Sequence, residues 1–138
     1  MKILIIRHAE PDYENNTITE KGWREAHMLA ERLAKLPISD VYVSPMGRAQ
    51  HTAQPYLELT GKSAQTLDWL HEFRGRVWDE EKQKNRCAWN MKPRFWNDHP
   101  EMFDKDKWLE NELMSSGNVE EVWNETINSE LIKMGLVR

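Results

Sequence analysis

The sequence predicts an α/β fold in which a mainly parallel sheet carries helices on its faces. Three observations point there: a short β-branched apolar run at Lys2–Arg7, a strand–helix–strand–helix–strand alternation through the first half of the chain, and the short connections between those elements. A length of 138 residues is one domain's worth, with room for one substantial core and not two.

Each element has its own signal. Lys2–Arg7 (KILIIR) reads as a strand buried on both faces, because its apolar residues run together instead of alternating. The stretch Ala9–Ile18 is polar, with Pro11, Asn15 and Asn16, and reads as a loop. Thr19 is placed to cap a helix in which Trp23, Ala26, Leu29, Ala30, Leu33 and Leu36 recur at helical spacing, ended by Pro37. Asp40–Val43 predicts a second buried strand, and Ser44-Pro45 turns the chain into a second helix that runs to about Leu59 and is stopped by Gly61. Pro55 inside that helix is expected to bend or divide it. Ala64–Leu67 predicts a weak third strand. From Arg74 the pattern changes. Residues 76–117 mix Lys/Arg, Asp/Glu and Trp without a clean period and read as a cap-like insertion. A last helix over 118–138 is expected to return to the core. Asn118 and Glu121 stand as a capping box, Val119, Val122, Trp123, Ile127, Leu131 and Met134 form its apolar stripe, and Gly135 is its C-cap.

Composition narrows the function. With 39% hydrophobic and 30% charged residues the chain is of the soluble globular type. Its longest apolar run, Ile3–Ile6, is too short to span a bilayer, and no signal peptide precedes it. A net charge of −4 argues against nonspecific nucleic-acid or anionic-membrane binding. The single cysteine, Cys87, excludes an internal disulfide and a cysteine-rich zinc site, so a cytoplasmic location is expected. Seven tryptophans must be buried, or line a pocket or contact surface.

Four residues have the chemistry of a site. Arg7 and His8 lie where the first strand ends, Arg48 lies near the start of the second helix, and Glu72 follows the third strand. In an open parallel sheet, ligands bind outside the carboxyl ends of the strands, so these pieces are expected to converge on one crevice. Together they suit phosphoryl transfer. His8 is the nucleophile and Arg7 and Arg48 are planar donor forks for phosphate oxygens. Glu72 gives a proton to the leaving group and later takes one from water, if burial raises its pKa. Amides at the start of the second helix add to the anion site. Glu10 and Asp12 are the runner-up acids.

The motifs Arg7-His8-Ala9-Glu10, Thr19-Glu20-Lys21-Gly22, Ser44-Pro45-Met46-Gly47-Arg48-Ala49-Gln50-His51-Thr52-Ala53 and Leu70-His71-Glu72 resemble, in order and spacing, those of the histidine phosphatase superfamily, also called phosphoglycerate-mutase-like. The resemblance covers the first 75 residues or so. It implies a three-layer α/β sandwich and phosphorylation of His8. It also implies a phosphate grip by Arg7 and Arg48 and an acid/base role for Glu72. Two departures stand out near the histidine: Ala9 replaces the family's usual Gly, and Pro11 replaces a frequent hydroxyl residue. The family's second active-site histidine sits in a His-Gly turn after a later strand. No histidine here precedes a glycine, and the last is His99. The chain is therefore read as a single partial domain over 1–138, incomplete at the C-terminus.

The expected function is hydrolysis of a small phosphate monoester through phosphohistidine, with no metal and no cofactor. The alternatives are a non-catalytic phosphate-binding or interaction module, an inactive truncated member, and a mutase-type phosphotransferase. Expected partners are a small phosphorylated substrate and a second copy covering an incomplete sheet edge, with neither nucleic acid nor membrane. The aromatic segment Trp89–Phe103, with Lys92 and Arg94, has the makings of a single-strand nucleic-acid platform, but net acidity and the resemblance favour a specificity-setting cap. His27 is expected to be structural, His51 a partly exposed helix residue, His71 a neighbour of the cleft and Cys87 inert.

Overall fold

Thr19 opens the first helix as its position predicts: its side chain accepts from the Gly22 amide at 3.1 Å, and helix α1 runs Glu20–Leu33. The computed structural model describes residues 2–135. Met1 and residues 136–138, the end of the helix expected over 118–138, lie outside the described residues. The chain packs as two compact units, Met1–His71 and Glu72–Arg138.

In the first unit a small antiparallel hairpin pairs β1 (Pro11–Asp12) with β2 (Thr17–Ile18), where the sequence suggests only a loop. Its turn places Asn16 at φ 49°, a left-handed position that Asn tolerates better than most residues. After α1 the chain forms β3 (Tyr42–Val43), helix α2 (Gly47–Thr60) and β4 (Gln65–Thr66). The two strands pair in parallel, Tyr42 with Gln65 and Val43 with Thr66, so β3–α2–β4 is a crossover unit of the expected kind. Gln50 of α2 fastens it by donating to the Ser44 carbonyl at 2.7 Å and to the Thr66 hydroxyl at 3.3 Å. Gly61 closes α2 in the left-handed region, as predicted. Pro55 is buried and does not divide the helix.

The largest departure concerns Lys2–Arg7, expected as a strand buried on both faces. Here it is exposed and belongs to none of the described strands, with Ile5 95% accessible. Helices α1 and α2 account for the difference. They bury their apolar stripes on each other, Ala30 and Leu33 against Tyr56, with Leu29, Ile38, Val41 and Leu57 around them. Among the described residues the parallel sheet therefore has two strands and not three. Helix α1 also ends at Leu33, so Leu36 is exposed and not part of the stripe, and His27 is exposed beside it.

The second unit has its own core of Val77, Ala88, Met114 and Val119, each fully buried. A hairpin of β5 (Arg76–Asp79) and β6 (Lys84–Cys87) leads into short helical pieces: α3 (Pro93–Asp98), α4 (Glu112–Ser115) and 3₁₀ turns between them. The tryptophans here serve packing. Trp89 stacks on Trp96 and on Trp108, and Trp108 meets Trp123 edge-on at 5.5 Å.

The last helical stretch starts with α5 (Val119–Val122), passes through a π-helical turn at Trp123–Asn128 and ends in α6 (Ser129–Lys133), with Gly135 at φ 70° beyond it. The expected capping box is not formed. The Asn118 side-chain oxygen instead accepts from the Arg76 amide of β5 at 2.8 Å. Gly117 allows that approach, since a Cβ there would stand 1.8 Å from the Arg76 carbonyl oxygen. Val119 thus joins the core of the second unit.

Candidate active site

Among the described residues the segment that carries His8 belongs to no strand, yet its backbone is fixed from three sides. The Ala9 amide donates to Thr52 Oγ1 of α2 at 3.0 Å. The Glu10 amide donates to Glu25 Oε2 of α1 at 3.0 Å, and the Glu10 carbonyl accepts from the Thr19 amide at 3.0 Å. His8 is half-buried, with Nδ1 2.8 Å from the Ala9 carbonyl oxygen. A carbonyl oxygen only accepts, so in the neutral ring Nδ1 carries the hydrogen and Nε2 keeps its lone pair. That is the tautomer in which Nε2 is a nucleophile.

Arg48 lies in the first turn of α2 and is buried, 9% accessible. Its guanidinium carbon stands 5.4 Å from the centre of the Tyr13 ring, and the same ring meets the His8 imidazole edge-on at 6.4 Å. His8 and Arg48 therefore share Tyr13 as a neighbour. The Met46 side chain makes no capping hydrogen bond, so the first amides of α2 have no side-chain acceptor from that position.

The hairpin that brings Tyr13 here is itself fastened to α2. Thr17 Oγ1 and His51 Nδ1 lie 2.6 Å apart, and the His51 ring packs on Trp23 at 5.4 Å. Gly47 lets the turn come close, because a Cβ there would stand 2.1 Å from the Asn16 carbonyl oxygen. His51 is thus a half-buried residue of the hairpin–helix contact.

The other predicted residues are placed differently. Arg7 is exposed. Glu72 is the first residue of the second unit and is exposed, so the burial that the sequence reading asked of it is not present. Of the runner-up acids, Glu10 accepts from the Thr19 hydroxyl at 2.7 Å, which with Lys21 beside it holds its carboxyl below the ordinary range. Asp12 is held low by hydrogen bonds from the Asn15 side chain and amide. Both are biased toward the carboxylate, the wrong form for a proton donor. Among the described residues, no group of three or more His, Cys, Asp or Glu is arranged to hold a metal ion, and no helix is long and apolar enough to cross a membrane.

Two residues near His8 carry no role of their own in the sequence analysis. Tyr13 had no signal beyond its place five residues after His8. Thr52 stands four residues after Arg48, on the same face of one helix, and that spacing was the available clue.

A crossover unit with a buried arginine in the first turn of its helix, beside a histidine loop pinned to that helix, defines an α/β protein with a basic site at a strand-to-helix turn. The chain belongs to the histidine phosphatase superfamily (branch 1), whose family model matches residues 3–130, and so has the phosphoglycerate-mutase-like α/β fold. It is 35% identical over 68 residues to the Schizosaccharomyces pombe protein named "Probable phosphatase C1687.21", covering 43% of this chain and 32% of that one. It is 38% identical over 84 residues to the 2,3-bisphosphoglycerate-dependent phosphoglycerate mutase of Thermoplasma acidophilum, covering 53% and 42% of the two chains. Identity to the mannitol-1-phosphatase of Eimeria tenella is 32% over 78 residues, 51% and 25% of the two chains. The matched stretch is thus between a quarter and less than a half of each relative's length. No solved structure matches the chain.

Proposed function

We propose that the chain carries the nucleophile and phosphate grip of a phosphatase-type phosphoryl transfer, with His8 as the residue phosphorylated and a small phosphate monoester as substrate. One observation supports this most: His8, with Nε2 left as its basic nitrogen, and the buried Arg48 guanidinium flank the same Tyr13 ring. In the first step His8 Nε2 attacks phosphorus and the ester P–O bond breaks. The leaving alkoxide takes a proton from a general acid, and Glu72 is the residue proposed for it, its exposed carboxyl losing water only when substrate binds. Water then attacks the phosphohistidine, Glu72 recovers a proton from it, and inorganic phosphate leaves. Arg48 and Arg7 hold the equatorial oxygens, and the first-turn amides of α2 add to the same anion site. The sheet of this reading is the mainly parallel one of a three-layer sandwich, of which β3–α2–β4 is a part. Hydrolysis is preferred to mutase chemistry because a mutase must shield its phosphoenzyme from water.

Steady-state hydrolysis of para-nitrophenyl phosphate tests the reading. His8→Ala is expected to abolish turnover. Arg48→Ala is expected to lower kcat/KM by about 10²–10³-fold, as loss of one preorganised donor does. Turnover that survives His8→Ala overturns the assignment. Phosphate binding without any turnover in the unmodified protein supports the non-catalytic module instead.

A further inference from the structure

We infer that Thr52 is a positioning residue that sets His8 against Arg48, an assignment resting on the phosphoryl-transfer reading above. The Thr52 hydroxyl makes two hydrogen bonds at once. It accepts from the Ala9 amide at 3.0 Å and donates to the Arg48 carbonyl at 2.7 Å. Ala9 is the residue whose carbonyl fixes the His8 tautomer, and Arg48 is the phosphate-gripping residue itself. The hydroxyl of one buried residue, 6% accessible, therefore joins the backbone beside the nucleophile to the backbone of the cation.

The physical case rests on how direct this tie is. Among the described residues, 2–8 belong to no strand that would hold the histidine in register with α2. The other two anchors of the loop, at the Glu10 amide and carbonyl, lead to Glu25 and Thr19 at α1 and its cap, and not to α2. Of these three backbone anchors, only the Thr52 bond runs to the helix that carries Arg48. Shape at position 52 is not sufficient, because a residue of the same volume without the hydroxyl leaves the Ala9 amide buried against carbon. The loop then shifts to find water, and His8 moves with it. A misplacement of ~1 Å in a reacting group costs about 10²-fold in rate.

Thr52→Val keeps the volume and deletes the hydroxyl, and Thr52→Ser keeps the hydroxyl and deletes a methyl. Two readouts on each folded variant separate positioning from mere stability. Hydrolysis of para-nitrophenyl phosphate is expected to fall about 10²-fold in kcat for Thr52→Val, with KM changed only a few-fold, and to recover to within a few-fold of the unmodified protein for Thr52→Ser. Calorimetric binding is expected to weaken more for vanadate, which mimics the attacked phosphorus, than for inorganic phosphate, which needs only the cations. Equal weakening of the two anions, or wild-type kcat in Thr52→Val, overturns the inference, as does a serine variant as impaired as the valine one. If the valine variant does not fold, Thr52→Cys, with its weaker acceptor, is read by the same criteria. A protein whose unmodified form neither hydrolyses the ester nor binds vanadate fails the phosphoryl-transfer reading itself, which is a different result from any of these.

Discussion

Asp79 and Arg86 form an enclosed ion pair at 2.6 Å, with the carboxylate almost fully covered. The Arg86 hydrogen bond holds the Asp79 carboxyl below its ordinary value of 3.8, with the Lys82 amide assisting. A carboxyl whose pKa is lower folded than unfolded adds stability above the unfolded value and loses it as pH falls through the folded one. Urea midpoints followed downward from neutral pH should therefore stay level until the ordinary aspartate range and then decline. Asp79→Asn should flatten that part of the decline, and an unchanged acid limb would show that the pair is not what responds. At this scale the sequence was most informative. Thr19 was legible as a cap, and His8 and Arg48 as members of motifs that resemble the family to which the chain belongs, because each signal lies in local spacing. Asn118 was misread for an equally physical reason. A local capping pattern competes with any amide the fold brings near, and the Arg76 amide, 42 residues away, took the oxygen. The role of Thr52 was illegible in the same way, since it depends on where the Ala9 amide lands.

Among the elements, the helices of the first unit were read well and the strands less so. A helix forms its own hydrogen bonds and shows its buried face by period, so α1 and α2 follow from Thr19, Gly61 and their apolar spacing. A strand needs partners that its own residues do not name. Ile3–Ile6 has the composition of a buried strand, yet α1 and α2 bury their stripes on each other and leave it without cover. The packing difference is measurable. Ile5→Thr should change unfolding free energy by less than ~0.5 kcal/mol, as exposed substitutions do. Met114→Ala, in the fully buried cluster with Val77, Ala88 and Val119, should cost about 2–5 kcal/mol. Chemical denaturation of the two variants checks both, and a large loss for Ile5→Thr would mean that the segment is packed in solution after all.

For the molecule as a whole, family membership and the α/β crossover unit agree, and the two ends of the account rest on different ground. The first unit holds His8 and Arg48 within one hydrogen-bonded and aromatic neighbourhood. The second unit, which carries Glu72, is held by the Val77–Ala88–Met114–Val119 core, with Trp96 and Trp108 packed against it, and presents a cavity of roughly 600 Å³ bordered by Trp78, Arg86, Lys92, Phe95 and Asn111. Three cations that border it are paired: Arg86 bonds Asp79, and Lys92 and Arg94 both bond Glu81. That pairing and the stacking of Trp89 on Trp96 and Trp108 give these basic and aromatic residues partners within the unit. It also explains why no helical or strand period was visible there, since short turns and stacked rings set the packing.

Everything in the functional account passes through the imidazole beside Ala9. Rapid quenching of the protein with para-nitrophenyl phosphate, followed by peptide mapping under alkaline conditions, addresses it directly. The account predicts an acid-labile, alkali-stable phosphoryl group on the peptide containing His8, absent from His8→Ala. Ester hydrolysis with the label on another residue, or on none, would contradict it.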